Sequence, residues 1–532
     1  MPSRALRAIC LAAFAALLAA AAIRNAHALN PDAVAYIRIG EYFSRGDLQL
    51  AVSGYWSPLL SWMIALVLRL GMAPLPAARL VMALSAIVYV VGCAAVLRRE
   101  GRASWAAGAG VLIAALAATS WSVELITPDL LAGGLLCLAL ARLMAMPQQK
   151  TTDSVVAGLT LGLAYLAKAV ALPFAVLATL AYAILSIRHR PGSASAIVRN
   201  ASLTLAVTIV VALPWIGVIS VHYGSLLFST SAGINHALAG PPPLERSHPS
   251  FRTVARPEAG RITSWEEPSR LGYATWSPFA SAANLRYQSL LIGKNLWTFV
   301  RMLDEFGSAI AISALAGLAV AGKRLPASSP QAVPVGWYFV PIALLIALYA
   351  PLHIDTENLR FFYALLPFIF IVGMEGVALL TQSDRVGRDL RIAAAAAGIL
   401  LFAWSPAVRF ASALCGRGST ASENAFKAGQ ALRRSGLTAP VVGGAGKLRG
   451  VPGLAVAFFI DQPWYGDLQQ PSAAGYERSG AGIAVVSRWS SVARELSADA
   501  RAGDLDPILF PGAAERARSE IRLFALRPSG IR

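Results

Sequence analysis

Two carboxylates stand where a carboxylate is costly. Asp32 opens the polar stretch after the first apolar run (Asn30-Pro31-Asp32), and Asp129 closes a second such stretch (Thr127-Pro128-Asp129). Each sits at the outer edge of a hydrophobic segment, and charges at a lipid–water boundary mark function more often than packing. If both lie on one side of a membrane, they share one extracytoplasmic cleft. A carboxylate in such a cleft can take the proton of a hydroxyl nucleophile. Each aspartate also stands where it can cap the helix that follows.

The elements that must hold them are membrane helices. The chain is 56% hydrophobic and only 14% charged, which places it in the polytopic membrane class. Apolar runs recur at 8–29, 76–97, 104–121, 130–146, 153–167, 169–187, 201–221, 307–322, 334–350, 361–380 and 391–409. A crossing helix needs about 20 apolar residues, with about 17 tolerated, so the expectation is about eleven spans. The net charge of +18 is distributed by loop. Arg4, Arg7, Arg98, Arg99, Arg102, Lys150, Arg188, Arg190, Arg199, Lys323, Arg324, Arg385, Arg388 and Arg391 fall on one side, while the short loops opposite hold only Lys168 and Arg360. By the positive-inside rule the N-terminus is cytoplasmic and the C-terminal region outside. That bias accounts for the basic balance without nucleic acid.

The segment 58–71 is too short to span. It reads as an interfacial or re-entrant helix with Trp56 and Trp62 as headgroup anchors. Reading it as a span would put the Arg98–Arg102 cluster outside. Ala26-His27-Ala28 also resembles a signal cleavage site, but a retained first helix is favoured, and either leaves Asp32 outside. Cys10, Cys93 and Cys137 lie within spans and Cys415 beyond them, which is no disulfide framework.

Three pieces lie outside the membrane. In the loop 30–75, Tyr36, Gly40 and Phe43 recur at helical spacing, and Arg38, Glu41 and Arg45 can pair along one face. The expectation is an amphipathic helix on the membrane surface, broken at Gly46-Asp47. A long loop covers 222–306, with Pro241-Pro242-Pro243 and with Glu266 and Glu267 read as solvated charges. From 412 to 532 a small α/β domain is expected, with strands near 441–442, 455–460, 483–486 and 521–526 and a helix over 423–434. Gly443-Gly444-Ala445-Gly446 reads as a turn, and no internal repeat is evident.

Taken in order, these motifs form a set. An external Asp32 is followed by Tyr36 and Gly40, Gly46-Asp47, Tyr55-Trp56-Ser57-Pro58-Leu59 and Thr127-Pro128-Asp129. Gly162-Leu163-Ala164-Tyr165-Leu166-Ala167-Lys168 and Asn358-Leu359-Arg360-Phe361-Phe362 complete it. Over about residues 1–410 the chain resembles the GT-C glycosyltransferase superfamily, in particular bacterial relatives of protein O-mannosyltransferases and lipid A aminoarabinose transferases (glycosyltransferase family 39-like).

The resemblance implies an all-α polytopic membrane domain over 1–411 and a sugar donor that is a polyprenyl-phosphate glycoside. It implies transfer with inversion on the extracytoplasmic face of a bacterial inner membrane, the C-terminal domain being periplasmic. Asp32 matches the general base and Asp129 a second acidic residue that orients acceptor or sugar. Asp32 is followed by Ala33, where protein O-mannosyltransferases typically carry an Asp-Glu pair. Lys168 and Arg360 match phosphate contacts, with His353 as an added donor and Asp355 and Glu357 beside Arg360. Tyr36, Tyr55 and Trp56 would meet the lipid chain or a sugar ring, and Glu357 is a further substrate contact. Asp32 and Asp129 suit a shared divalent cation, though no His/Asp cluster requires one. The implied partners are the donor lipid, membrane lipids and an envelope lipid, glycan or protein acceptor. The alternative is a transporter or flippase of lipid-linked sugars. Such proteins more often show repeated halves or mid-membrane charges, whereas the charges here sit at the outer boundary.

Overall fold

The structure is a computed structural model describing residues 4–99, 104–146, 150–242, 248–306, 334–352, 356–381, 387–416, 420–445, 451–510, 512 and 519–526. A first helix, α1 (Arg4–Arg24), leads into α2 (Pro31–Arg45), α3 (Leu48–Ala51) and α4 (Leu59–Arg69). The bundle continues through α5 (Pro74–Leu97), α6 (Ser104–Glu124), α7 (Asp129–Leu143), α8 (Thr151–Ala167), α9 (Ala171–His189) and α10 (Ala194–Tyr223). The long loop holds α11 (Ser231–Leu238) and α12 (Ala282–Met302); the helices Phe339–Tyr349, Leu366–Leu380 and Arg388–Leu414 follow.

Among the described residues six segments are long and apolar enough to cross a membrane: Pro74–Leu97, Trp105–Glu124, Ala171–His189, Ala194–Tyr223, Leu359–Leu379 and Arg388–Leu414. Four more of the expected eleven are helical but shorter, namely Ile9–Arg24, Thr151–Ala167, Val335–Tyr349 and the 15-residue α7. The run 307–322 lies outside the described residues, as do Arg102, Lys323, Arg324 and Arg385. The bundle closes through small residues. At the crossing of α5 and α7, a Cβ on Gly134 would lie 2.6 Å from Tyr89 Cα, and one on Gly92 would strike the Gly134 carbonyl. In lipid, where tails are as apolar as side chains, such close van der Waals contact drives helix association.

α2 carries its own punctuation. Pro31 at its first position presets the helical φ, and Asp32 in its first turn meets the positive end of the helix dipole. Gly46, at φ 79°, ends it. At Gly40 an added Cβ would come within 2.9 Å of Ile64 Cγ2, so α2 packs directly on α4. The expectation of a surface helix is corrected: Ala33, Val34, Ala35, Tyr36, Ile37, Ile39 and Tyr42 are all buried. The long loop and the C-terminal domain cover it, the latter through Arg38 Nη1, which reaches Asp461 Oδ1 at 3.3 Å. α4 leaves Leu66 65% exposed, and Leu70 just after it is 81% exposed.

Other expectations also change. Trp56 is no headgroup anchor, because it is buried and its Nε1 donates to Trp265 O at 3.0 Å. Glu266 and Glu267 are buried rather than solvated. Glu266 accepts from Tyr42 Oη at 2.7 Å, Ile262 N at 2.8 Å and Thr263 N at 3.1 Å, which satisfies its carboxylate and fastens the long loop to α2. Burial still pushes the Glu266 carboxyl above the usual carboxylate range, against the pull of Tyr42, Arg261 and Arg38.

The C-terminal region forms a four-stranded sheet of order β1–β2–β4–β3. β1 (Val441–Gly443) runs parallel to β2 (Ile483–Ser487); β4 (Ile521–Leu526) runs antiparallel to both β2 and β3 (Ala502–Asp504). The expected strand at 455–460 is instead part of the buried helix Pro452–Ile460. A short, wholly apolar run reads alike as buried strand or buried helix, and Pro452 at the first helical position favours the helix. Gly443 and Gly444, at φ 84° and 77°, make the turn after β1.

Candidate active site

Four charged side chains from four separate stretches converge at one end of the bundle. Asp32 comes from the first turn of α2, Asp129 opens α7, Lys168 follows the last residue of α8, and Arg360 lies on the 3-10 segment Thr356–Leu365. Arg360 Nη1 donates to Asp32 Oδ2 at 2.5 Å, and its Nε lies 4.0 Å from Asp129 Oδ2. Lys168 Nζ donates to Asp129 Oδ1. The charges therefore alternate, Asp32–Arg360–Asp129–Lys168, and the Asp129 side chain is only 3% exposed. Neither aspartate is the cap of its helix; Asn30 and Pro128 hold those positions. The carboxylates turn to the cations because an uncompensated buried charge costs about 3–5 kcal/mol.

Polar contacts just outside the quartet fix the loops that carry it. Asn30 Oδ1 accepts from Ile126 N at 2.9 Å, joining the Asp32 and Asp129 loops. Arg79 repeats that join: its Nη1 donates to Val123 O at 2.9 Å and its Nη2 to Ala28 O. Ser422 Oγ bonds both the N–H and the carbonyl of Leu29, at 3.1 Å and 3.2 Å, so the C-terminal domain grips the same loop. Behind Arg360, Tyr89 Oη donates to Tyr363 O at 2.7 Å and Cys137 Sγ approaches Ala364 O at 3.3 Å. Asn295 of α12 holds the chain leading to Arg360, donating to Ala350 O at 2.8 Å and Leu352 O at 2.5 Å.

Aromatic rings wall the quartet on two sides. Lys168 Nζ lies 4.0 Å above the Phe361 ring, which stacks on Tyr349 at 4.8 Å. Tyr349 joins Asp129, Lys168 and Arg360 in lining a cavity of about 20 Å³ whose deeper wall is apolar, with Leu136 and Leu345. The buried Tyr349 hydroxyl has no hydrogen-bond partner among the described residues. On the side of α2, Tyr36 and Tyr55 pack edge-on against Trp56 at 5.0 Å and 4.7 Å, and Trp56 against Trp265 at 5.2 Å. Tyr36 and Trp56 are buried and form a backing layer, while Tyr55 is partly open. His353 and Asp355 lie outside the described residues; of Glu357 only the backbone, at the start of the 3-10 segment, is described.

Sequence reasoning missed Asn30, Arg79 and Tyr349. Arg79 had a signal, being an arginine inside the apolar run 76–97, where a charge is conspicuous. Tyr349 had none, since aromatic residues are ordinary at the end of a membrane helix.

Residues 56–217 match the family model for dolichyl-phosphate-mannose-protein mannosyltransferases. By fold the chain is similar to ArnT from Cupriavidus metallidurans bound to undecaprenyl phosphate, with a TM-score of 0.55, 16% identity and 98% of each chain covered. The same protein in the apo state gives a TM-score of 0.55, 15% identity and 99% of each chain covered. No curated protein matches the chain significantly by sequence. The resemblance read from the motifs holds at the level of architecture: this is a multi-pass membrane protein with an ArnT-like fold.

Proposed function

We propose that this protein moves a sugar from a polyprenyl-phosphate donor to an acceptor on the extracytoplasmic face of a bacterial inner membrane, with Asp32 as general base. The observation that carries the reading is the convergence of two carboxylates and two cations at one end of the helices of an ArnT-like fold. That ArnT is seen bound to undecaprenyl phosphate supports the choice of donor lipid.

The chemistry is a single displacement. The acceptor oxygen attacks the anomeric carbon from the face opposite the phosphate, and its proton passes to Asp32. The bond between anomeric carbon and phosphate oxygen breaks, leaving the electron pair on a phosphomonoester that has gained negative charge. Lys168 and Arg360 meet that growing charge, so they favour the transition state over the ground state. Asp129 orients the acceptor or the sugar, and the Tyr349 hydroxyl is free to donate into the same cavity.

In the free protein both cations are already engaged by the carboxylates. The cavity between them, about 20 Å³, holds about one water and no phosphate. The donor phosphate therefore draws Arg360 and Lys168 away from Asp32 and Asp129 as it binds, which leaves the Asp32 carboxylate free to take the acceptor's proton.

The test uses purified protein in proteoliposomes with labelled polyprenyl-phosphate sugars. Asp32→Asn is expected to lower transfer by about a hundredfold or more while the protein stays folded. Unchanged transfer would exclude Asp32 as the base. Mass spectrometry of envelope glycans and glycolipids, with and without the gene, identifies the acceptor.

A further inference from the structure

α5 and α7 touch at Gly92 and Gly134 and then leave a cavity of about 330 Å³. It lies at the opposite end of the bundle from Asp32. Asp129 opens the 15-residue α7 and Arg142 nearly closes it, a separation of about 20 Å at about 1.5 Å per residue. Ala95 and Ala141 line the cavity and leave its volume unfilled, while Arg98, Arg99, Arg142 and Asp153 supply its charge.

Arg98 Nε donates to Ala94 O and Arg142 Nη1 to Leu138 O, each at 2.9 Å and each within its own helix. Their remaining guanidinium N–H groups, and those of Arg99, have no partner among the described residues. Asp153 is occupied in part, accepting from Lys150 N at 3.2 Å at the start of α8. Arginines that merely snorkel to a membrane face spread into water. Here three of them border one recess between two helices, with alanines in place of side chains that would close it.

We propose that this recess binds the phosphate of an anionic membrane lipid, at a site separate from the Asp32 quartet. Planar guanidinium groups pair with phosphate oxygens through two parallel hydrogen bonds. Basic pockets between helices at a membrane face suit such headgroups, and the alanine walls admit the glycerol backbone.

The test titrates the full-length protein, in a neutral detergent, with phosphatidylglycerol, with phosphatidylcholine of the same acyl chains, and with inorganic phosphate. Lipid retained in native mass spectrometry and the thermal shift are the readouts. Phosphatidylglycerol is expected to bind at least about tenfold more tightly than phosphatidylcholine. The pair Arg98→Gln/Arg142→Gln is expected to remove that preference. Ala95→Leu, which narrows the recess between the arginines and leaves its charge intact, is expected to weaken that preference. Retention equal in the unaltered protein and both variants overturns the site. Inorganic phosphate binding as tightly as phosphatidylglycerol overturns the lipid assignment. Arg98, Arg142 and Ala95 lie a helix length from Asp32, and a cooperative thermal transition at an unchanged midpoint without added lipid reports that each variant is folded.

Discussion

If the donor phosphate must take Arg360 from Asp32, removing the Asp32 charge should tighten donor binding even as it abolishes transfer. The Arg360–Asp32 contact is a charge-assisted hydrogen bond of 2.5 Å between side chains 21% and 14% exposed. Such bonds contribute about 1.5–3 kcal/mol net, which converts to roughly ten- to hundredfold in affinity. Asp32→Asn is therefore expected to lower the Kd for undecaprenyl phosphate by that factor, measured by tryptophan fluorescence or calorimetry on detergent-solubilised protein. Loss of a nearby negative charge would tighten any anion somewhat, so the decisive comparison is a cycle with Arg360→Gln. In that background Asp32→Asn is expected to change Kd by less than about threefold, because the cation it competes for is gone. The same gain in both backgrounds, or weaker binding in Asp32→Asn alone, refutes the exchange of partners. Neither result depends on the sugar or the acceptor.

Two further predictions concern what holds the quartet in place. Arg79 touches no charged group of the quartet but joins Ala28 to Val123, so Arg79→Leu is expected to misplace the carboxylates rather than remove a lipid contact. The expected result is a fall in kcat of about a hundredfold with the Kd for undecaprenyl phosphate changed less than about threefold, and a parallel loss of both would count against a positioning role. Glu266 is buried with its carboxyl held above the ordinary range, so the folded protein binds that proton more tightly than the unfolded chain does. Its contribution to stability is greatest at low pH and declines as pH rises through the folded value. Glu266→Gln is expected to flatten the fall of Tm above about pH 4.5, and an unaltered profile would show that Glu266 does not titrate there.

The sequence announced the quartet because each of its members breaks an apolar pattern. Asp32, Asp129, Lys168 and Arg360 stand out against apolar neighbours, and charge bias by loop assigns them to one side before any geometry is known. What surrounds them carries no such contrast. Glu266 and Glu267 lie in a proline-rich, polar loop, where a buried carboxylate looks like a solvated one until the backbone N–H groups of Ile262 and Thr263 are in place. Trp56 reads as an interface anchor because the loop that buries it starts more than 160 residues later in the sequence. The run 455–460 has neither alternation nor a polar face, so its helix followed from Pro452 and burial, not from period. Span count was the least legible, since α7 and α8 are helices at or below the crossing length whose ends are fixed by the site.

On the proposed reading, the alternating chain of charges also bears on how a carboxylate can serve as a base at this depth. An isolated carboxylate beside Asp129, buried as it is, would take up a proton or unfold its surroundings. Pairing each carboxylate with a cation compensates the buried charge, but a carboxylate held by a guanidinium is not free to accept a hydroxyl's proton. Exchange answers both requirements, because the arriving phosphate substitutes one set of ion pairs for another and leaves no cation bare. The carboxylates it releases are then satisfied only by hydroxyl donors, which acceptor and sugar supply. If the exchange holds, donor binding would create the need that the acceptor fills, and the order of the two would follow from the electrostatics of four side chains.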